Sequence, residues 1–284
     1  MSVFPNARLR FQNKTVFITG AARGMGRSHA LAFAHEGARL VICDACRQYE
    51  TIPYPLSTRE ELDAAAQEIR AIGQPVIAEQ VDVTDLTAMQ QLADHALHEF
   101  GSIDIVVSNA GLYSFRQSWE LSEAEWDETV DVCLKGSWIT CKVCIPSMIA
   151  RRSGKIVCIA STASEKGMAN LAHYVAAKHG VLGLMKTLAI ELAQYNINVN
   201  AVCPTSVDTM MLNNQALYDV FAGGPGPAAT REHMLMLMNQ LNLFADRNLL
   251  PPEAISAAVL WLASDEARHM TGVALPVDAG YLTR

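Results

Sequence analysis

The feature that most constrains the fold is a glycine-rich turn between an apolar run and a helical pattern. Residues 14–19, KTVFIT, form the short β-branched run that a parallel sheet buries on both faces. Gly20-Ala-Ala-Arg-Gly24-Met-Gly26 follows directly, and a helical pattern then runs over residues 27–36. Glycines at such a turn let backbone N–H groups approach a pyrophosphate at the start of a helix. The segment therefore predicts a strand, a dinucleotide-binding turn and a helix.

Apolar runs and helical patterns alternate along the rest of the chain. Runs typical of buried strands lie at residues 39–43, 75–80, 103–107, 155–159, 198–202 and 273–276. Helical patterns lie at about residues 58–71, 86–100, 123–150, 171–195 and 253–263. This alternation predicts a single Rossmann-type, doubly wound parallel sheet of about seven strands flanked by helices. We expect one domain over residues 1–284, because no repeat or low-complexity tract divides the chain.

The composition argues against several other classes of protein. With 284 residues and 50% hydrophobic content, the chain can bury a sizeable core. Its formal net charge of −7 disfavours a nucleic-acid surface, which needs clustered Lys and Arg. No uninterrupted apolar run approaches the roughly 18 residues of a membrane span, and residues 1–14 lack a signal-peptide pattern. Seven cysteines, an odd number, fit reduced thiols. We expect a soluble cytoplasmic protein without a membrane or nucleic-acid partner.

Two C-x-x-C spacings are candidate half-sites for zinc. Cys43 and Cys46 straddle the end of an apolar strand, and Cys141 and Cys144 fall inside a long helical pattern. The pairs stand about a hundred residues apart, far beyond the usual zinc-ribbon spacing. We therefore interpret the spacings as coincidence and predict no metal site.

An aspartate closes the second predicted strand. Asp44 lies eighteen residues beyond Gly26, where an acidic side chain accepts hydrogen bonds from the adenosine ribose and repels a 2′-phosphate. The sequence therefore favours NAD over NADP, with Arg47 as the nearby cation that opposes this preference. The other interpretation of Asp44 is a helix or turn cap. After the third strand, the Asp82 carboxylate, next to Val83, is placed to reach the adenine edge.

Two segments lack a helical or strand period. Residues 45–59, with two prolines, two tyrosines and an isoleucine, form a longer connection than this fold usually has. We expect an ordered lid near Asp44, with an ordinary surface loop as the alternative. Residues 205–250 contain five methionines and the sequence GGPGP. Because methionine adapts to irregular apolar shapes, this second segment is predicted to be a substrate lid or the core packing of a short helix.

A tyrosine and a lysine stand at helical spacing downstream of a serine. Tyr174 and Lys178 are four residues apart, which puts both side chains on one helix face, and Ser161 lies thirteen residues before Tyr174. A nearby ammonium stabilises a phenolate and lowers the tyrosine pKa, so the tyrosine can act as an acid or base. The serine hydroxyl can then bond the oxygen of a reacting alcohol or carbonyl. A Tyr/Lys pair alone also occurs on solvated helix faces, so its meaning depends on the surrounding motifs.

These motifs stand in the order of a known family. The chain resembles the short-chain dehydrogenase/reductase family in TGAARGMG (19–26), Asp44, Asp82-Val83, SNAG (108–111), Ser161, YVAAK (174–178) and PTSVDT (204–209). The resemblance implies that Tyr174 is the acid/base, that Lys178 lowers its pKa and holds the nicotinamide ribose, and that Ser161 orients the substrate oxygen. The cofactor-binding residues that it implies are Gly20, Arg23, Gly24, Met25, Gly26, Asp44, Asp82, Val83, Asn109, Ala110, Gly111, Tyr174, Lys178, Val207 and Thr209.

Two features depart from the family's common pattern. Many members have Asn-x-x-Gly in the long central helix, where the asparagine supports a water-mediated proton relay to the lysine. Here Cys133 stands at that position, three residues before Gly136, and cysteine is a poor hydrogen-bonding substitute. The inserted stretch 51–58, together with residues 169–186, resembles the carveol-dehydrogenase-like, mycofactocin-associated branch of actinobacterial type.

That branch implies hydride transfer between NAD and an apolar secondary alcohol or ketone, such as a terpene alcohol of the carveol type. It also implies unusually retained NAD and an external electron acceptor. The family implies a homo-oligomer, a tetramer, that pairs through the helices at 123–150 and 171–195. The alternative function is a catalytically weakened nucleotide-sensing binding protein of the same fold, which Cys133 favours.

Overall fold

The computed structural model describes residues 9–244 and 249–283, and its strands form one sheet. The strands are β1 Thr15–Thr19, β2 Arg39–Asp44, β3 Val76–Gln80, β4 Ile105–Ser108, β5 Gly154–Ile159, β6 Ile197–Pro204 and β7 Ala274–Val277. All neighbours run parallel, in the order β3-β2-β1-β4-β5-β6-β7. The predicted doubly wound sheet of about seven strands is confirmed.

Helices connect the strands and cover both faces of the sheet. They are α1 Gly24–His35, α2 Arg59–Ile72, α3 Leu86–Phe100, α4 Glu123–Val130, α5 Gly136–Arg151, α6 Ala172–Leu192, α7 Gln215–Ala222, α8 Arg231–Asn239 and α9 Pro252–Ala263. A capping box fixes the start of α2, where the Thr58 side chain accepts from the Glu61 N–H at 3.3 Å. Gly73, with φ of +96°, ends that helix in a left-handed conformation. A π-helical turn, Asp131–Lys135, joins α4 to α5 and was not predicted from the sequence.

Alternate residues of the strands pack into two hydrophobic layers, one on each face of the sheet. Phe17 and Val41 face the layer that contains α3, α5 and α6. Ile18 and Ile42 face the layer that contains α1, α2 and α9. Because both faces are covered, the strands are apolar at successive positions instead of alternating with polar residues.

The candidate site lies at the edge of the sheet where the strands end. Strands β1, β2, β4, β5 and β6 finish there at Thr19, Asp44, Ser108, Ile159 and Pro204. The strand order reverses between β1 and β4, and open α/β sheets bind ligands in the crevice at such a point. The loops that follow these strands therefore position the functional side chains.

The methionine-rich segment contains two helices. α7 and α8 pack on each other through a small cluster of Leu217, Met234 and Met238. Apolar packing within the segment is compatible with both predicted roles. Residues 245–248 of the predicted lid lie outside the described residues.

The helical run Glu123–Arg151 is long and apolar enough to cross a membrane by length and composition alone. Its mean hydropathy reaches 1.2 over the most apolar window, but 56% of that window is buried inside the protein. It packs against α3 and α6. Because a core helix of a soluble protein has the same properties, this run is weak evidence for a span.

Candidate active site

The glycine turn brings backbone N–H groups to the edge of the sheet. Gly20 has φ of +66°, and a Cβ there would lie 2.8 Å from the Ala110 Cα. A Cβ at Gly26 would lie 2.1 Å from the Gly20 carbonyl oxygen, so a side chain fits at neither position. Arg23, the residue before α1, makes no side-chain capping hydrogen bond. The start of α1 lines a cleft of about 890 Å³, and its uncapped N–H groups fit a pyrophosphate.

The end of β4 is hydrogen-bonded to this turn. The Asn109 Nδ2 donates to the carbonyl oxygens of Thr19 and Gly20, at 2.9 and 3.1 Å. The backbone N–H groups of Asn109 and Ala110 donate to the Thr19 hydroxyl, at 3.1 and 3.2 Å. The Asn109 Oδ1 is buried and has no hydrogen-bond partner among the residues that the structure describes. Since buried polar atoms are normally paired, this oxygen is suited to accept a hydrogen bond from a ligand in the cleft.

Asp44 lies at the end of the cleft beside β2. Its Oδ2 accepts from the Ala22 N–H at 3.1 Å, and its Oδ1 accepts from the Ser57 hydroxyl. The carboxylate is therefore held between the glycine turn and residues 45–59. Ribose hydroxyls can donate to such a fixed carboxylate, whereas a 2′-phosphate would be repelled by it.

Asp82 holds Arg47 and Tyr49 at the same end of the cleft. Its Oδ2 accepts from the Tyr49 hydroxyl at 2.7 Å and pairs with the Arg47 guanidinium at 2.7 Å. The backbone N–H and the hydroxyl of Thr84 donate to its Oδ1, at 2.9 and 2.8 Å. Burial opposes ionisation of Asp82, but these hydrogen bonds outweigh it and hold its pKa below the usual range. Arg47 is thus paired within the chain, which weakens its competition with Asp44 over cofactor preference.

Residues 45–59, here called the insertion, have a defined shape over this end of the cleft. The Gln48 amide donates to the carbonyl oxygens of Tyr49, Ile52 and Tyr54, at 3.1, 2.9 and 3.2 Å. Its oxygen accepts from the Leu56 N–H at 3.0 Å. Tyr49, Ile52 and Tyr54 are only 7%, 4% and 3% exposed. Internal hydrogen bonds and burial therefore order the insertion.

The structure brings Ser161, Tyr174 and Lys178 together beyond the end of β5. Tyr174 and Lys178 lie one turn apart near the start of α6, with the Lys178 Nζ 5.6 Å from the Tyr174 ring centroid. Lys178 is buried, and its Nζ donates to the Ile159 carbonyl oxygen at 2.7 Å. The Ser161 hydroxyl accepts from the Ala163 N–H at 3.1 Å, and Ser161 lies close enough to Tyr174 to lower the pKa of that phenol. Serine, phenol and ammonium thus share one small site.

Burial dominates the pKa of Tyr174 in this structure. Burial raises this pKa well above its usual value, and the nearby Cys133 thiol acts in the same direction. The contact with Ser161 lowers it. In this structure loss of hydration outweighs the favourable contact with Ser161. The lowering of this pKa by Lys178 stays a prediction.

Cys133 lies in the π-helical turn beside Lys178. Its thiol donates to the Leu112 carbonyl oxygen at 3.2 Å, and its carbonyl oxygen accepts from the Ser137 hydroxyl at 2.8 Å. A Cβ at Gly111 would lie 3.6 Å from both the Cys133 Sγ and the Lys178 Nζ. Burial raises the pKa of the Cys133 thiol, and the Lys178 charge offsets this only in part. The residue is a neutral thiol whose polar groups are engaged within the chain.

A second cleft, of about 870 Å³, is lined by Ser161 and Tyr174. No charged side chain lines it among the described residues. Its large apolar side chains include Met25, Phe115, Met168, Met211, Phe221 and Met238. The cleft suits an apolar molecule with one hydroxyl or carbonyl group directed at Ser161 and Tyr174.

Most of the predicted cofactor residues lie around the first cleft. Those that line it are Gly20, Arg23, Gly24, Met25, Gly26, Asp44, Asp82, Val83, Asn109, Ala110, Gly111 and Thr209. Thr209 also lines the second cleft, as do Val207 and Tyr174. Val207 forms an isolated bridge with Leu250. Lys178 is buried and is not among the described residues that line either cleft.

Three residues of the site were not singled out from the sequence. Ser57 bonds Asp44, and Tyr49 bonds Asp82. Tyr113 lines the second cleft, and its ring centroid lies 4.9 Å from that of Tyr174. The available signal was weak: Tyr113 is the first aromatic residue after the Asn-Ala-Gly motif, and Tyr49 belongs to the aromatic content of the predicted lid.

The C-x-x-C pairs are free thiols in this structure. Cys43 is buried at the end of β2, and burial raises the pKa of Cys46 to about 12. Cys141 and Cys144 are buried in α5. A raised pKa disfavours the thiolate that zinc requires. Over residues 9–244 and 249–283, no three His, Cys, Asp or Glu side chains are grouped to hold a metal.

Comparison with known proteins places the chain among dehydrogenases. The family model of the short chain dehydrogenase matches residues 14–217. The (−)-trans-carveol dehydrogenase of Rhodococcus erythropolis is 40% identical over 274 residues, which cover 95% of this chain and 98% of that protein.

Solved structures give the same result. A carveol dehydrogenase from Mycobacterium avium in complex with NAD superposes with a TM-score of 0.92 at 38% identity, covering 97% of this chain and 99% of that one. A short chain dehydrogenase from Mycobacterium paratuberculosis bound to NAD gives a TM-score of 0.86 at 31% identity, with 97% and 100% covered. The chain belongs to the short-chain dehydrogenase/reductase family.

Proposed function

We propose that this protein is an NAD-dependent oxidoreductase that transfers a hydride between the cofactor and an apolar secondary alcohol or ketone, with a terpene-like alcohol of the carveol type as its substrate. One observation carries the proposal: the cleft at the glycine turn adjoins an uncharged apolar cleft that Ser161 and Tyr174 line, and the two clefts share Met25, Thr209 and Met211. The carveol dehydrogenases that resemble this chain, one of them crystallised with NAD, support the same substrate class.

The chain's own residues give each part of NAD a binding partner. The N–H groups at the start of α1 hold the pyrophosphate, and the Asp44 carboxylate accepts from the adenosine ribose. Asn109, Ala110 and Gly111 line the path towards the nicotinamide end, where the Asn109 Oδ1 accepts a hydrogen bond. Val207 and Thr209 would bind the nicotinamide carboxamide, and the Lys178 ammonium would bond the nicotinamide ribose.

Tyr174 moves the proton in the proposed reaction. NAD⁺ supplies the hydride acceptor and a positive charge near the phenol, which favours the phenolate. In alcohol oxidation Tyr174 would take the hydroxyl proton while bound NAD⁺ would accept the hydride from the carbinol carbon, which gives a ketone and NADH. Ser161 holds the substrate oxygen towards Tyr174. In ketone reduction, Tyr174 donates the same proton.

The insertion supports retention of NAD during turnover. It contributes Tyr49, Tyr54, Leu56 and Ser57 to the wall of the cofactor cleft and is ordered by its own hydrogen bonds. A covered cofactor dissociates slowly, so bound NADH must be reoxidised by an external electron acceptor. In this proposal the protein belongs with the mycofactocin-associated dehydrogenases.

The cell location and assembly state complete the proposal. Free thiols are compatible with a reducing cytoplasm. Trp126, Trp138 and Ile190 expose 41%, 42% and 80% of their surface on α4, α5 and α6. Pairing through these helices in a homotetramer would cover such apolar side chains. The nucleotide-sensor alternative is not favoured, since Ser161, Tyr174 and Lys178 share one site.

Two assays on the purified protein test the proposal. Mass spectrometry of the denatured protein is expected to find NAD near one per chain. Mixing the holoprotein with cyclic secondary terpene alcohols is expected to produce NADH absorbance, and an artificial electron acceptor is needed for repeated turnover. Cofactor-free protein that turns over rapidly on added NAD would refute retention. Failure to reduce NAD with any apolar alcohol, and failure to oxidise NADH with the matching ketones, would refute the substrate class.

A further inference from the structure

The insertion reaches the substrate side of the molecule as well as the cofactor side. Tyr54 lines the cofactor cleft and is 3% exposed, whereas Tyr113 lines the second cleft and is 6% exposed. The Tyr113 backbone N–H donates to the Tyr54 hydroxyl at 3.2 Å. The rings of the two tyrosines also touch edge to face, with centroids 6.2 Å apart. One hydrogen bond thus crosses the wall between the clefts.

Tyr113 connects three functional parts of the protein. Its ring centroid is 4.9 Å from that of Tyr174 and 5.0 Å from that of Phe115, which also lines the second cleft. Its hydroxyl donates to the Met211 carbonyl oxygen at 3.4 Å, in the methionine-rich segment. The position of the Tyr113 backbone therefore sets one wall of the substrate cleft and the packing around the proton-transferring phenol.

We propose that Tyr54 is a positioning residue for the substrate: its hydroxyl fixes the Tyr113 backbone, and through it the wall of the substrate cleft. The insertion then has two separate roles, with Tyr49 bonding Asp82 at the cofactor end and Tyr54 bonding Tyr113 at the substrate end. This inference rests on the proposed function, because it assigns the second cleft to the alcohol.

The physical argument is the cost of an unpaired buried N–H group. Tyr54→Phe keeps the ring and its contact with Tyr113 but removes the acceptor. No other acceptor for the Tyr113 N–H is found among the described residues. Burying this N–H group without an acceptor disfavours the wild-type position of the Tyr113 loop, relative to positions that expose the group, by roughly 5- to 100-fold. The loop around Tyr113 is expected to relieve this by moving, which loosens the substrate wall.

The test compares three tyrosine-to-phenylalanine variants of the holoprotein. Hydrogen exchange followed by mass spectrometry reports on the Tyr113 amide, and stopped-flow reduction of bound NAD by a cyclic secondary alcohol gives the alcohol concentration for half-maximal rate. For Tyr54→Phe we expect faster exchange at Tyr113, a half-saturating concentration raised roughly 5- to 100-fold, and unchanged NAD per chain. For Tyr49→Phe we expect faster NAD release and unchanged exchange at Tyr113.

Tyr195→Phe is the matched control, because Tyr195 lies at the far end of α6 against Arg152 and away from both clefts. It is expected to leave exchange, half-saturation and NAD content unchanged. Should Tyr54→Phe not fold, Gln48→Ala gives a second route. This change removes the hydrogen bonds that place Tyr54 and is expected to raise the same amide exchange.

The outcomes separate this inference from the proposed function. Unchanged Tyr113 exchange in Tyr54→Phe, or increased exchange with unchanged alcohol half-saturation, would overturn the positioning role. Loss of NAD from Tyr54→Phe as fast as from Tyr49→Phe would overturn the division of the insertion into two ends. If none of the alcohols tested led the wild-type protein to reduce its bound NAD, the proposed function would fail. Hydrogen exchange would still decide whether Tyr54 fixes the Tyr113 backbone.

Discussion

Alanine at Gly26 is the sharpest perturbation of the cofactor turn. The added Cβ would lie 2.1 Å from the Gly20 carbonyl oxygen and 2.7 Å from the Asn109 Nδ2. Both atoms belong to one hydrogen bond, from the Asn109 amide to the Gly20 carbonyl, at 3.1 Å. The variant must therefore push the turn away from α1 and weaken its connection to β4. Gly26 itself lies outside the left-handed region, so the effect of Gly26→Ala is steric.

The size of the effect follows from two terms. Inserting a methyl group into a close-packed site costs about 1–3 kcal/mol, and loss of the Asn109 hydrogen bond costs about 0.5–1.5 kcal/mol. Together they give about 1.5–4.5 kcal/mol. Because we propose that the turn carries the N–H groups that bind the pyrophosphate, we expect most of this cost to appear in cofactor affinity, as an NAD dissociation constant raised roughly 10- to 1,600-fold.

Gly73→Ala is the matched control. Gly73 has φ of +96° at the end of α2, and no atom of the described part of the chain lies within 4 Å of a Cβ built there. Its replacement costs about 1–2 kcal/mol of folding free energy through backbone strain and leaves the cofactor turn untouched. Calorimetric titration of cofactor-stripped protein with NAD, together with thermal unfolding, measures both quantities. A Gly26→Ala variant that binds NAD within threefold of wild type would refute the steric account of the turn.

Three further predictions concern the chemistry of the site. Asp44→Ala should weaken NAD binding by roughly 10- to 100-fold, the value of hydrogen bonds to a charged acceptor, and reduce the preference over NADP. Titration with both cofactors measures this, and equal wild-type affinities for the two would contradict the role of Asp44. Cys133→Asn should leave the rate of NAD reduction unchanged or raise it, and a large loss would give the thiol a role of its own. Since burial raises the Tyr174 pKa and the Ser161 contact lowers it, alcohol oxidation should accelerate with rising pH. Ser161→Ala should move the increase in oxidation rate to higher pH. An unchanged pH profile of the rate would show that Ser161 does not influence the pKa of Tyr174.

The strands and most helices of the sheet could be predicted from the sequence. The strands are buried on both faces and therefore appear as short, continuous apolar runs. Residues 103–107 were predicted as a strand and Ile105–Ser108 form β4, while residues 86–100 were predicted as a helix and form α3. The helical pattern predicted from about residue 58 is α2, which begins at Arg59 with Thr58 as its capping residue. Such elements depend on apolar runs and helical periodicity, which can be recognised in the amino-acid sequence alone.

What the sequence did not reveal depends on contacts between distant segments. The π-helical turn at Asp131–Lys135 interrupts a continuous helical pattern, and α7 and α8 lie in a segment without a clear period. The bond between Tyr54 and the Tyr113 N–H joins residues 59 positions apart. The direction of the Tyr174 pKa shift depends on burial in the folded protein, whereas the motif shows only its partners Ser161 and Lys178.

The most direct test of the central claim follows a labelled hydride. Wild-type holoprotein and the Tyr174→Phe variant are each mixed with a cyclic secondary alcohol that carries deuterium at the carbinol carbon. The protein is then denatured, and the cofactor that this releases is analysed by mass spectrometry. We predict one deuterium per NADH in wild type. Tyr174→Phe should retain NAD and transfer the label roughly 100- to 10,000-fold more slowly, because only the proton-accepting oxygen is lost. Reduced cofactor without deuterium, or transfer by Tyr174→Phe at more than a few per cent of the wild-type rate, would contradict the account.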